Sequence, residues 1–429
     1  MPEMFHTFLN NVLHNLFKPL LLFFYMGFSV PLLKIPFEFP HVLYQGLTMY
    51  LLIAIGWKGG EELAELSAAE FAHAGGFMLI GFITNFFIGI LAYIILRHFA
   101  KLRQIDAATV AGYYGSDSAG TFVTARGVLD NTKPDPIGYA AYMPVMLAVM
   151  EIPGCLVALF LVSRLRRNGM DRRGNMPGEP GYDPHALPDV GDGESEGNGN
   201  GHGSHGGAQG HGGTAVVVKA QSTSGTVSAA HTKKKLEESN GSFVSFINWE
   251  LLHEVFLNPG LFLLFGGIII GYVGRLQGTE ITAADDPLFV ALFQGALCLF
   301  LLEMGMTACK RLRDLKSAGW RFVVYALVAP NIFATAGIFI AHGYSKMLGL
   351  PFELGTYVLF SVLCGAASYI AVPAVQRLAI PEASPTLPLA ASLGVTFSYN
   401  VTIGIPIYME IARAVMNNFP VHAAVTGGG

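Results

Sequence analysis

From Gly112 to Thr121 the chain reads GYYGSDSAGT, a run of glycines, hydroxyls and one carboxylate inside an otherwise apolar block. Glycine permits local unwinding and close backbone approach, so amides freed at the start of a half-helix can face an anion. Freed carbonyls, together with the Asp117 carboxylate, can coordinate a hard cation. This chemistry falls to Gly115, Ser116, Asp117, Ser118, Gly120 and Thr121. The alternative is a small-residue packing face whose hydroxyls bond back to their own helix. A second unusual stretch, GAASYIAVP from Gly365 to Pro373, offers Ser368 and Tyr369 ahead of a proline. Pro373 is expected to break the helical ladder and leave carbonyls for protein, ion or water to satisfy, or simply to kink the helix.

Three more ionisable residues fall within apolar blocks: Lys58 in IGWKGG, Glu151 in MEIPG and Glu303 in LLEMGMT. An unpaired charge at that depth costs about 3 kcal/mol or more, so each needs a partner or water. Glu151 lies two residues before Pro153, on a segment matching TFSYNVTIGIP, so Glu151, Thr396, Ser398 and Asn400 are candidate cation ligands beside Asp117. Lys58 and Glu303 are expected to pair across related helices, the alternative for Lys58 being a stem that reaches outward to water. Arg126 stands at an anion entrance or at the membrane interface. Trp57, Trp249 and Trp320 read as interfacial anchors.

The elements that must position these groups are transmembrane helices. Of 429 residues 52% are hydrophobic and only 13% charged, which excludes a soluble enzyme. The apolar residues form about ten blocks of roughly 16 to 27 residues, the length that crosses about 30 Å of hydrocarbon. These expected spans cover 17–33, 42–57, 73–97, 107–126 and 137–163, then 252–273, 287–306, 320–342, 355–377 and 387–412. The fold class is therefore an all-α polytopic membrane protein with spans four and nine broken. Three regions follow: a five-helix repeat over 1–167, a flexible Gly/His-rich linker over 168–245 and a second repeat over 246–429. The linker's His202, His205 and His211 read as solvated, since glycine spacing preorganises no metal site. A net charge of −4 with no basic tract beyond Lys233 to Lys235 excludes a nucleic-acid partner. The four cysteines show no CxxC spacing and read as packing residues. No removable signal peptide is evident at the N-terminus.

Arg97, Lys101 and Arg103, then Arg164, Arg166, Arg167, Arg172 and Arg173, then Lys310, Arg311, Arg313, Lys316 and Arg321 all fall on one side. Basic loops stay cytoplasmic, so the linker is inside and both termini outside. Five spans per half make the halves inverted. An offset of 249 residues sets YQGLTMYLLIAIGWKGG (Tyr44 to Gly60) on FQGALCLFLLEMGMTAC (Phe293 to Cys309), and a similar one pairs Asn85 with Asn331. Inverted repeats with broken helices at the midplane are the architecture of secondary transporters.

In IGWKGG, YYGSDSAGT, MPVMLAVMEIPG, MGMTA, RLAIPEASP and TIGIPIYME the chain resembles the sodium-dependent bicarbonate transporters of the SbtA type, over most of both halves. The resemblance implies ten helices in two inverted repeats, a homotrimer in the inner (plasma) membrane, a sodium ion as coupled cofactor and bicarbonate as the small inorganic anion carried inward. It places the site at the crossing of spans four and nine, on the residues named above, and some of the family bind a PII-like regulator on the cytoplasmic face. Span nine departs from the family's Ser-rich run ending in Asp, whereas span four here carries the acid. The rival readings are a proton-coupled carrier or cation/proton antiporter relaying protons through Asp117, Glu151 and Glu303, and an intramembrane enzyme. HExxH and the aspartyl GxGD pattern are both absent.

Overall fold

The computed structural model describes residues 17–132, 134–183, 185, 259–317, 319–369, 372, 373, 376 and 379–421; among them the regular structure is helical, with no strand. Most of the linker, including His202, His205 and His211, and Trp249 lie outside the described residues. The first half contains α1 (Pro19–Leu32), α2 (His41–Leu63), α3 (Ala68–Ile95, prolonged by a π-type turn over Leu96–Ala100), α4 (Gln104–Tyr114), α5 (Ala119–Asp130) and α6 (Met143–Arg167). The second contains α7 (Pro259–Gln277), α8 (Thr279–Ala283), α9 (Phe293–Leu312), α10 (Trp320–Leu348), α11 (Leu354–Gly365) and α12 (Leu387–Asn418). Among the described residues six helical stretches are long and apolar enough to cross a membrane, and α1 and α11 are shorter apolar helices of 14 and 12 residues.

Local signals set the boundaries. α3 opens on a capping box in which Ser67 accepts from the Glu70 amide and Glu70 accepts from the Ser67 amide. Its π-type extension ends at Lys101 with φ 58°, and α10 ends at Gly349 with φ 63°. Proline inside a helix leaves a carbonyl without its usual donor. In α10, Pro330 would have donated to Ala326, and the freed Ala326 carbonyl instead accepts from Thr396 Oγ1 at 2.9 Å.

Burial divides the helices into two kinds. On α3 Phe77, Gly81, Asn85, Ile88 and Ala92 form an inward stripe while Phe71, Leu79 and Phe87 are exposed, the pattern of a lipid-facing helix. By contrast Ile105 to Tyr114 on α4, Gly120 to Leu129 on α5 and Gly355 to Gly365 on α11 are all buried. An irregular backbone at membrane depth survives only inside protein, and these three segments meet that condition.

Two helix pairs pack with their backbones nearly in contact. A Cβ at Gly27 of α1 would collide with the Leu302 carbonyl of α9, and one at Gly305 of α9 with the Phe24 carbonyl of α1. The α2–α7 pair is built the same way, with Gly56 against Leu264 and Gly271 against Trp57. Trp57 itself is buried and stacks on Phe289 with ring centroids 5.0 Å apart, so it is a packing residue and not the interfacial anchor expected; Trp320 is exposed.

The start of the expected linker is folded. Residues 168–183 form a compact loop in which Asp171 accepts from the amides of Arg173 (2.9 Å), Asn175 (2.7 Å) and Asp183 (3.0 Å). Burial works against the Asp171 carboxylate, but these amides and the Asn175 side chain outweigh it and hold its pKa below the usual value. Glu179 accepts from Arg97 (3.2 Å) and from the Gln104 amide (2.9 Å), fastening the loop to the ends of α3 and α4. Gly174, at φ 83°, brings the turn against Glu382 and Ile105. Glycine, Asp and Asn in this stretch serve tight turns, which is why a disordered composition and an ordered loop read alike here.

Candidate functional site

Span four is interrupted at 115–118. α4 ends at Tyr114, Ser118 caps α5 by accepting from the Thr121 amide (3.3 Å) and hydroxyl (2.9 Å), and Asp117 lies between the two helix ends. Asp117 is fully buried, and among the described residues neither carboxylate oxygen has a hydrogen-bond partner. Such a group is costly unless something neutralises it.

The wall beside Gly115 leaves no room for a side chain there. A Cβ at Gly115 would stand 2.8 Å from the Gly89 Cα and 3.2 Å from the Asn85 carbonyl oxygen. Ser116 Oγ donates to the Glu151 carbonyl at 2.8 Å, and Asn85 Nδ2 reaches the Met150 carbonyl (3.0 Å) and the Leu363 carbonyl (3.4 Å). These bonds join α3, α6 and α11 around the break, using α6 carbonyls just ahead of Pro153.

The second interruption follows α11, which ends at Gly365; residues 366–369 are non-helical and helical backbone is described again at 372 and 373. The two breaks touch: the Ser368 amide donates to the Tyr113 carbonyl at 2.8 Å. The Tyr369 hydroxyl lies against Gly120 in the first turn of α5, where a Cβ would collide with it, and Phe397 packs edge-on to the Tyr369 ring at 5.5 Å. Pro373 lies in helical backbone beyond the break, so the ladder is interrupted ahead of it. Asn400 donates to the Gly365 carbonyl at the end of α11 (2.9 Å) and accepts from Tyr408 (2.7 Å).

The site therefore gathers helix ends of both polarities. The α4 and α11 carboxyl ends present carbonyls with partial negative charge, and the 12-residue α5 presents its amino end with partial positive charge. Hard oxygen donors and an anion-attracting amide terminus lie within one buried region.

Gly115, Ser116, Asp117, Ser118, Gly120, Thr121, Ser368 and Tyr369 are thus collected at the breaks, with Glu151 beside Ser116. Three expected cation ligands are engaged in hydrogen bonds beside the breaks or on their own helix. Thr396 is engaged by Tyr114 (2.7 Å) and Ala326, Ser398 bonds to the Leu393 carbonyl of its own helix (3.4 Å), and Asn400 serves the α11 terminus. Arg126 is buried, 3.5 Å from Asp130 and stacked over Phe293 at 5.1 Å, neither at the breaks nor at an exposed interface.

Lys58 and Glu303 do not meet. Lys58 lies within α2 and pairs with Glu61 (3.7 Å) and Glu62 (3.9 Å) one turn on, while Glu303 accepts from Thr307 at 2.7 Å on its own helix. With no shared contact, the stability losses of Lys58→Met and Glu303→Gln should add to within about 0.5 kcal/mol in a double-mutant cycle. A larger coupling measured by thermal unfolding would restore the pair.

Asn85, Tyr113, Tyr114 and Gln376 hold the site together, but sequence reasoning gave them no role there. For Asn85 the signal was a lone amide within an apolar span; the tyrosines and Gln376 offered no distinguishing spacing.

A family model described as the Na+-dependent bicarbonate transporter superfamily matches residues 19–413. No curated protein matches the chain.

Proposed function

The chain belongs to the Na+-dependent bicarbonate transporter superfamily, and from that membership we propose that it is a secondary active carrier moving bicarbonate into the cell together with sodium by alternating access. It is a multi-pass membrane transporter and not an enzyme. The observation that carries the coupling is Asp117, a buried carboxylate without a hydrogen-bond partner among the described residues, between helix ends of opposite polarity.

In this reading sodium is taken by Asp117 with the Gly115 carbonyl and the carbonyl and hydroxyl of Ser116, and Glu151 on α6 adds negative charge nearby. The anion is taken by the α5 amino end at Ser118, Gly120 and Thr121, faced by Ser368 and Tyr369. The cation supplies the charge that the buried carboxylate lacks, and its field favours the anion alongside it. Each ion then lowers the cost of burying the other, which is the physical content of coupled transport.

The inverted repeat belongs to the same proposal. It is supported by the matched glycine crossings of α1 on α9 and α2 on α7, and by the two breaks that meet at Tyr113 and Ser368. A homotrimer in the plasma membrane, termini outside, a cytoplasmic linker and a PII-like partner complete it. The basic residues Arg97 and Arg103, both bound to the 168–183 loop, and Arg166, bound to Glu382 that lies against the same loop at Gly174, support that sidedness.

Uptake of radiolabelled bicarbonate by proteoliposomes, with sodium and the pH gradient varied independently, tests the proposal. Uptake should vanish without sodium and persist when the pH gradient is collapsed. The opposite result would favour the proton-coupled carrier.

A further inference from the structure

Tyr113 and Gln376 are the centre of a hydrogen-bond chain that runs from the meeting point of the breaks to the folded 168–183 loop. The Tyr113 carbonyl accepts from the Ser368 amide at 2.8 Å, and its hydroxyl donates to Gln376 Oε1 at 2.6 Å. Gln376 Nε2 donates to the Ser384 carbonyl at 3.1 Å, and the Ser384 amide donates to Asp106 Oδ1 at 2.9 Å. Asp106 is held by Arg103 (2.7 Å), which also donates to Asn175 (3.1 Å). Beside this chain Arg166 of α6 grips Glu382 at 2.8 Å and the Ala379 carbonyl at 2.9 Å. The segment after the second break is therefore fastened to α4 at its start, its middle and its far end.

We propose that Tyr113 and Gln376 are positioning residues for transport, whose mutual hydrogen bond sets the register of the α4 half-helix against the segment that follows the second break. The proposal rests on the coupled-carrier reading above. Both residues are buried, Tyr113 fully and Gln376 with 4% of its surface exposed, so neither is there to meet solvent. Segments held together by apolar contact alone can slide along each other. A hydrogen bond adds little net stability but is directional, and a buried polar pair admits one register. Tyr113 directly precedes the last residue of α4, and its own carbonyl holds Ser368, so a slip at Gln376 shifts the second break relative to Asp117.

The test uses the full chain in proteoliposomes with Tyr113→Phe, which removes one hydroxyl and keeps the ring, and Gln376→Met, which keeps the side-chain length. Tyr113→Phe should raise KM for sodium about tenfold, the scale of effect that small misplacement of site groups produces, while the maximal rate stays close to wild type and the thermal midpoint falls modestly, because the buried Gln376 oxygen is left without its donor. The double variant should be no worse than the more severe single one, because both delete the same bond. If Gln376→Met does not fold, Gln376→Asn withdraws the amide by one methylene and serves in its place. An unchanged KM, or a fall in thermal midpoint with KM unmoved, would reduce the pair to packing and overturn the proposal. Wild-type uptake indifferent to sodium would instead overturn the coupling reading, and the two failures are told apart by the wild-type control.

Discussion

Asp117→Asn should abolish the response of the protein to sodium while leaving the fold intact. Removing one member of a buried charge pair costs about 3 to 5 kcal/mol, so the sodium concentration needed for half-maximal uptake should rise by at least about a hundredfold. The same substitution has a second signature. In wild-type protein sodium binds only the folded state and should raise the thermal midpoint as its concentration increases. The Asn variant no longer carries the uncompensated carboxylate, so in sodium-free buffer its midpoint should equal or exceed that of wild type, and added sodium should not move it. A variant whose uptake and midpoint still respond to sodium would place the cation elsewhere.

Gly120→Ala should stop transport by a steric route. A Cβ there collides with the Tyr369 hydroxyl and also stands 3.1 Å from Tyr369 Cζ and 3.2 Å from Phe300 Cζ. The tyrosine must then leave the first turn of α5, and uptake should fall at least about tenfold. Combining Gly120→Ala with Tyr369→Phe removes the colliding oxygen, and the remaining contacts ask for shifts of only a few tenths of an ångström. The pair should recover most of the activity that Tyr369→Phe has alone. Normal uptake by Gly120→Ala would mean that Tyr369 is not lodged against that turn during transport.

Legibility in the sequence followed the strength of the local signal. GYYGSDSAGT is legible because a run of small and polar residues has no place in a lipid-facing helix, and the break falls at its centre. The second break was legible in position but not in cause. Pro373 drew attention, yet the backbone departs from helix at 366–369, where the residues are small and the Tyr113 carbonyl supplies a partner. Lys58 and Glu303 show what an internal alignment cannot give. It relates helices by symmetry but not by contact, and α2 crosses its closest partner at Gly56 against α7, far along the chain from Glu303. The acids that hold Lys58 were in plain view one turn away. The hydrogen bond of Thr396 goes to a carbonyl freed by Pro330, some 66 residues earlier, and nothing in the spacing announces that contact.

The all-round burial of α4, α5 and α11 bears on how the chain is made. At about 1.5 Å per residue, the 11 residues of α4 and the 12 of α5 rise only roughly 17 and 18 Å, so neither crosses about 30 Å of hydrocarbon unaided. As each emerges during synthesis it offers lipid an unfinished ladder and a carboxylate. Such a segment cannot settle as an independent span and must wait between earlier and later helices, with α3 in place before it and α6 arriving after. The final partner for the Tyr113 carbonyl, Ser368, is supplied only when the second half has been threaded, which makes completion of the site the last event of assembly.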